Sequence, residues 1–474
     1  VTAPGRNNPG IGGTASEPSE AVATPDYGLR RNVLGPLESV AQSISTMAPT
    51  ASAAMTVPLV FASAGNGTWL AYLIATICTM PVALCVARFA RESTSPGSLY
   101  TYTTSSLPPV LGSVAAWSLL VAYVATGVSV VGGFIHYANV VLGEFFGLSS
   151  AAAPLAIAAV AVSVWFAYRD VKVSASLMLY VEIASVVSIS TVFGLLLWHH
   201  GLHVDSAQVA LRGIHFSGVR LAVVLAMFSF AGFESATTLG EEVRDPLRTI
   251  PRSIIQSALI SGLFFITASY VEVLGFPASA GTLDQSEAPM TVLATAAGVG
   301  PLGRFIDVGV MVTMLACTLA CITAAARVLM LMGHNGLAPR RMGATHPRNR
   351  TPYKAVVAIG GVTFVLAIAL VAGHVSGETI YDWMGSLAVY GFVTVYALVA
   401  VALPVFLRQR GRPIAGAVVL AALSVLAMAL VLEGTLYPVP DPPKNRLPYY
   451  FLLFLVVAAG WNEKNRRGSG AARA

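Results

Sequence analysis

Apolar runs of about 20 residues recur from one end of this chain to the other, and that recurrence excludes most folds at once. Hydrocarbon offers no water to a free N–H or C=O, so a chain that crosses a bilayer does so as helices or as a closed barrel. A barrel strand needs only about ten residues, so runs of this length read as helices. Composition agrees: of 474 residues, 55% are hydrophobic and 11% charged, with a mean hydropathy of +0.72. Soluble domains carry about 25% charged residues. The expected class is an all-α polytopic membrane protein, and a soluble enzyme is excluded.

Twelve spans are expected, at 33–62, 68–90, 110–142, 151–168, 172–198, 218–239, 253–275, 302–333, 354–373, 378–407, 413–434 and 447–461. Residues 1–27 are rich in Gly, Pro, Ser, Thr and Ala, and are expected to form a disordered tail with no cleavable signal peptide. A second tail is expected over 463–474. On this map the 28 Lys and Arg fall on one side, apart from Arg212, Arg220, Arg304, Lys444 and Arg446. Positive residues stay inside, so both termini are expected in the cytoplasm and the net charge of +6 is a topology signal rather than a nucleic-acid footprint. Trp69, Trp165, Trp198, Trp383 and Trp461 fall near span ends, where interfacial anchors belong. The four cysteines, Cys78, Cys85, Cys317 and Cys321, lie inside apolar runs and read as packing residues. His199, His200 and His203 cluster at the outer end of span 5 and read as interfacial, with no metal or cofactor implied.

Span 6 is interrupted. Its apolar helix runs into Phe230, Ala231, Gly232 and Phe233, and Glu234 follows directly. An ionisable residue beside a glycine break is costly in hydrocarbon unless the freed backbone faces protein or a water-filled cavity. Transporters built from inverted repeats place such breaks in corresponding helices. Span 1, five spans earlier, supplies the match: Ser45, Thr46, Met47, Ala48, Pro49, Thr50 and Ala51. Pro49 fits the first position of a new half-helix, with Thr46 or a nearby polar group as cap. The positive end of that half-helix favours a carboxylate, and the carbonyls released near Phe230 favour an ammonium. Together they describe a site for the head group of an α-amino acid.

Several motifs accompany the breaks: FSFAGFE at 228–234, GEEVRDP at 240–246, TIPR at 249–252, PGSLY at 96–100, ARVL at 326–329 and NGLAP at 335–339. As a set they resemble the amino acid–polyamine–organocation permeases, over roughly 33–407. The resemblance implies the leucine-transporter fold: five-plus-five inverted repeats, here about 33–198 and 218–407, with discontinuous helices 1 and 6 and alternating access. Helices 11 and 12, over 411–462, match only in hydropathy. It also implies a substrate between residues 45–51 and 228–234, with Phe228 as an aromatic gate. Two departures stand out. The family's glycine-rich segment in span 1 is Met47, Ala48, Pro49 and Thr50 here, and Pro49 has no N–H. Carboxylate donors would have to come from Thr50, Ala51 and Ser52. In span 5, where proton-coupled relatives often carry a lysine, this chain has Glu182 and Ser185.

The leading expectation is a secondary transporter of amino acids or closely related amines in the cytoplasmic membrane. Its side-chain pocket is expected from Tyr123 to Thr126 of span 3, from Phe228 and Phe233, and from the middle of span 8. Few charges point into that region, which favours a neutral or small substrate over a strongly charged one. Glu182 and Glu234 are the carboxylates placed deep in the membrane on this map. Glu182, with Ser185 and Thr323 around it, is the better candidate for proton coupling, because Glu234 has the start of a half-helix to offset its charge. At the cytoplasmic exit, Glu242 is expected to pair with Arg88 or Arg327 when the inner gate closes. Alternatives are a potassium or polyamine transporter of the same superfamily, or a non-transporting sensor. No metal-ligand spacing, nucleophile elbow or phosphate-binding loop supports an enzyme.

Overall fold

The computed structural model describes residues 27–471 apart from 170, 202 and 438, and of residues 171–179 and 461–471 it describes the backbone alone. The N-terminal tail therefore lies outside the described residues except for Tyr27, as do the side chains of Lys172, Trp461, Lys464, Arg466 and Arg467.

Among the described residues every regular element is helical. The first interrupted span consists of α1 (Pro36–Met47), the short α2 (Pro49–Ala51), a π turn at Ser52–Thr56, and α3 (Val57–Ala64). Then come α4 (Thr68–Ala90), α5 (Ser98–Thr104), α6 (Pro109–Phe146), α7 (Ala152–Arg169), α8 (Val171–His199) and α9 (Ser206–Val209). The second interrupted span is α10 (Phe216–Phe228), a run of turns, and a 3₁₀ stretch at Ser235–Leu239. The chain continues as α11 (Pro246–Gly275), α12 (Pro289–Ala296), α13 (Gly300–His334), α14 (Tyr353–Ala372), α15 (Gly377–Gln409), α16 (Ala415–Leu436) and α17 (Leu447–Ala471). The expected C-terminal tail thus continues as helical backbone to Ala471. Nine helical segments among the described residues are long and apolar enough to cross a membrane. One of these, Pro36–Ala90, holds both α1–α3 and α4, while α10 is apolar but shorter.

The interrupted helices are the inner elements. α1 packs against α8, α11 and α13, and α10 against α3, α4, α15 and α16, while α13 and α15 line the long α6. One end of the bundle is tied by a short parallel bridge between Leu34 and Val243: the Val33 and Leu34 amides both reach the Glu242 carbonyl at 2.9 Å. At the other end Asn66 donates to the Arg212 carbonyl, and the Trp69 indole N–H to that of Gln208.

Both breaks have local causes. Ala48 adopts a left-handed conformation (φ 46°), ending α1 with its N–H on the Ile44 carbonyl, and Pro49 starts the next helix without needing a donor. Thr46 is not the cap. Its hydroxyl bonds the Gln42 carbonyl at 2.7 Å and the Ser235 hydroxyl at 2.9 Å. In the second break Gly232 has φ +90°, and a Cβ there would stand 2.2 Å from the Thr46 Cγ2 atom. Only glycine allows this turn and this approach together.

Gly232→Ala is therefore expected to cost about 1–3 kcal/mol, from left-handed strain and overpacking against Thr46. Gly361→Ala, on the exposed face of α14 with open space at the Cβ position, is expected to be neutral or mildly stabilising. Thermal unfolding in detergent compares the two, and equal melting temperatures would contradict the close approach.

Candidate functional site

The gap at Ala48 leaves Thr50 as the first backbone donor of the second half-helix, since Pro49 has none. Its N–H points to the Glu182 Oε1 atom of α8 at 3.2 Å, and its hydroxyl reaches the same oxygen at 3.3 Å. Glu182 is 3% exposed, and its other oxygen, Oε2, has no hydrogen-bond partner among the described residues. The cap of the half-helix thus comes from a distant helix, and the donor expected to hold a ligand carboxylate is held by the protein's own. Thr313 of α13 also stands beside Glu182.

The other expected ion-site residues are more scattered. Ser185 lies against Gly309 of α13, where a Cβ would meet its hydroxyl at 2.7 Å. Thr323 lies about 15 Å along α13 from Thr313 at helical rise. Its carbonyl accepts from Arg327 Nη1 at 3.0 Å, so it belongs with Arg327 rather than with Glu182.

Glu234 is fully buried. The Tyr123 hydroxyl of α6 donates to its Oε1 at 2.7 Å, and the Tyr396 hydroxyl of α15 to its Oε2 at 2.6 Å. Phe233 packs on Tyr396, and Phe392 completes the aromatic surround against both tyrosines. Both oxygens are engaged, so Glu234 braces the break against α6 and α15. The segment behind it is five residues of 3₁₀ helix, too short for the half-helix expected to offset its charge. Phe230 turns away to Phe265 of α11, and Ala231 is buried beside it. Of the span-1 residues, Ser45, Met47 and Ala51 are buried at the break, and the Thr46 carbonyl accepts from the Cys317 thiol at 3.2 Å.

Two closures flank this region. On one side Phe228 meets Tyr381 edge-on, with ring centroids 5.7 Å apart, and lies flush on Gly385. The Tyr381 hydroxyl bonds that of Thr56 at 2.8 Å, joining α15 to the first span. On the other side Arg327 grips Glu242 with two bonds, Nε to Oε2 and Nη2 to Oε1, each 2.8 Å, with both side chains buried. Arg88 is exposed, and of the two expected partners Arg327 is the one that Glu242 takes.

The sequence reading missed the whole of α15 as a wall of the site. Tyr381 and Tyr396, polar-tipped aromatics in an apolar run, were the available signal. It also missed two acids. Glu272 of α11 and Asp307 of α13 are fully buried, with Thr291 donating to Asp307 at 2.5 Å. Both sit near helix ends, where a span map treats charge as ordinary.

Two interrupted helices crossing at a buried polar site, with a closure on either side, define a membrane transporter. The chain matches the amino acid permease family over residues 38–462 and belongs to it. A low-affinity putrescine importer of Escherichia coli is 28% identical over 310 residues, covering 62% of this chain and 66% of the importer, just under two thirds of its length. A branched-chain amino acid permease of Bacillus subtilis is 24% identical over 84% of this chain and 82% of its own. An uncharacterized transporter of Mycobacterium tuberculosis is 29% identical over 78% and 80%. The fold is shared with a manganese transporter of Eremococcus coleocola (TM-score 0.56, 11% identity, 91% of this chain and 93% of that one), in keeping with the expected leucine-transporter architecture.

A buried bidentate pair that loses one partner leaves the other charge exposed to a penalty of about 3–5 kcal/mol, which opening to water relieves. Glu242→Gln is therefore expected to shift the protein towards the state open at this end. Alkylation of a cysteine placed at Ser43 should speed up several-fold. An unchanged rate would show that the pair does not hold this end closed.

Proposed function

We propose that this chain is a secondary transporter carrying amino acids or closely related amines across the cytoplasmic membrane by alternating access, coupled to protons through Glu182. The reading further takes twelve spans, two five-helix repeats, and both termini in the cytoplasm, which puts the Glu242–Arg327 closure inside and the Phe228–Tyr381 closure outside. The distribution of basic residues supports that orientation.

The observation that carries the reading is the Thr50–Glu182 bond. A buried carboxylate needs its lone pairs filled, and here Oε2 is unpartnered among the described residues. A proton arriving at Glu182 removes the charge that holds the Thr50 N–H. The amide and hydroxyl of Thr50 then become available to the carboxylate of an incoming amino acid. Proton and substrate favour each other because each relieves what the other would leave unpaired, and that is a coupling free energy between two sites. A proton alone would leave the Thr50 donor on a weaker, neutral acceptor, and a substrate alone would set two carboxylates side by side. The branched-chain amino acid permease among the relatives handles a solute of this kind, and the putrescine importer one with the same ammonium chemistry.

Uptake into proteoliposomes tests it, with leucine and putrescine as probes. Accumulation is expected to rise with external acidity, collapse with a protonophore and need no sodium. In Glu182→Gln, a neutral side chain that still offers an acceptor, binding should persist while accumulation no longer follows the proton gradient. Sodium-dependent uptake that ignores pH, or full accumulation by the variant, would overturn the coupling.

A further inference from the structure

Beyond Phe228 and Tyr381, on the side away from Arg327, lies a vestibule of about 470 Å³. Its walls come from α3, α10, α15 and the segment between α16 and α17, and include Leu59, Leu225, Asp382, Ser386, Asp441 and Lys444. Asp382 and Ser386 also line the smaller space next to Phe228 and Tyr381. Asp382 is the carboxylate common to both spaces. It borders both the vestibule and the space against Phe228 and Tyr381.

A primary ammonium already sits on it. Lys444 Nζ lies 2.5 Å from Asp382 Oδ2, and Asp382 Oδ1 has no partner among the described residues. The side chains of Asp382 and Lys444 are 15% and 31% exposed, so the pair is partly desolvated yet open to exchange. Lys444 reaches Asp382 from a short turn after α16, closed by the Lys444 N–H on the Asp441 carbonyl and the Arg446 N–H on the Pro443 carbonyl. A flexible four-carbon stem carrying a compact charge is a replaceable ligand, unlike the planar two-bond grip of Arg327 on Glu242.

We propose that Asp382 is an entry subsite for the ammonium group of the substrate, and that Lys444 is its internal stand-in, displaced when an amine arrives. The proposal rests on the transporter reading above and deepens it by assigning recognition of the amino end to a place distinct from the Thr50–Glu182 pair. The two carboxylates then divide the work. Asp382 selects for positive charge at the mouth, and Glu182 governs the donor that meets the carboxylate within. Displacing Lys444 also removes the ion pair between α15 and the segment that joins α16 to α17, so arrival of the amine loosens the cover of the vestibule. Amines without a carboxylate would satisfy the first step and not the second.

The test reads binding at the vestibule without requiring transport, so failure of the transporter reading leaves it legible. A cysteine introduced at Ser386 is alkylated with a membrane-impermeant maleimide in three backgrounds: the parent, Lys444→Gln and Asp382→Asn. Loss of either partner is expected to speed alkylation, because each unfastens the segment. Propylamine is then added as a competitor, with propanol and sodium propionate as controls. It should protect the cysteine in the parent, and protect Lys444→Gln at a concentration roughly two- to fivefold lower, the range expected for a partly exposed ion pair. It should not protect Asp382→Asn, and the controls should protect none. Protection of Asp382→Asn equal to the parent would overturn the subsite. An alkylation rate unmoved by Lys444→Gln would overturn the stand-in role. Since both side chains are partly exposed, the variants should keep the parent's melting temperature. A cysteine protected by propanol as well as by propylamine would reduce the vestibule to an apolar cleft.

Discussion

A backbone amide left bare in the middle of a membrane costs several kcal/mol, and this fold interrupts two helices there. The solution at the first interruption is a carboxylate borrowed from α8. Thr50 gives both its N–H and its hydroxyl to Glu182, so the first donor of the second half-helix is satisfied without a local cap. The second interruption is held differently. Its turns close on themselves, the Ala236 amide reaches the Ser43 hydroxyl, and Glu234 is pinned by two tyrosine hydroxyls from the neighbouring helices α6 and α15. One break is tied to a carboxylate with one oxygen unpartnered among the described residues, and the other to a carboxylate with both oxygens engaged.

That asymmetry gives the two acids different work. Glu234 has a complete hydrogen-bond set and an aromatic surround, the arrangement of a structural carboxylate. Glu182 has one filled oxygen and one without a partner among the described residues, and it sits on the first donor after Pro49 in the half-helix. Closures lie on either side, an aromatic layer at Phe228 and an ion pair at Glu242. A substrate pathway that crosses the membrane has to break them at different times, and a buried ion pair suits that task because it is strong when dry and weak when wet.

Much of this was legible in the sequence. The apolar runs disclosed the class, and glycine and proline in spans 6 and 1 disclosed the breaks, because backbone chemistry acts locally. Glu242 with Arg327 was within reach because both lie in charged exits on one side. What the sequence withheld are the long-range pairings. Nothing in the chain says that Glu182 will meet Thr50 across 132 positions, or Tyr396 meet Glu234 across 162. Such pairs depend on how α8 and α15 rotate about their own axes, and their weak amphipathic patterning leaves that rotation unmarked. Counting carboxylates by depth also passed over Glu272 and Asp307, which are buried near helix ends.

The central claim is that the Thr50 donor is shared between Glu182 and a ligand's carboxylate. Titration calorimetry tests it on purified protein, using whichever of the twenty amino acids raises the melting temperature most. Binding is measured in buffers of different ionisation enthalpy, at a pH where Glu182 is charged. The account requires about one proton taken up per ligand bound, with affinity falling about tenfold for each unit of rising pH in that range. It also requires both effects to vanish in Glu182→Gln. Binding without proton uptake, or a pH dependence that survives in the Gln variant, would contradict it.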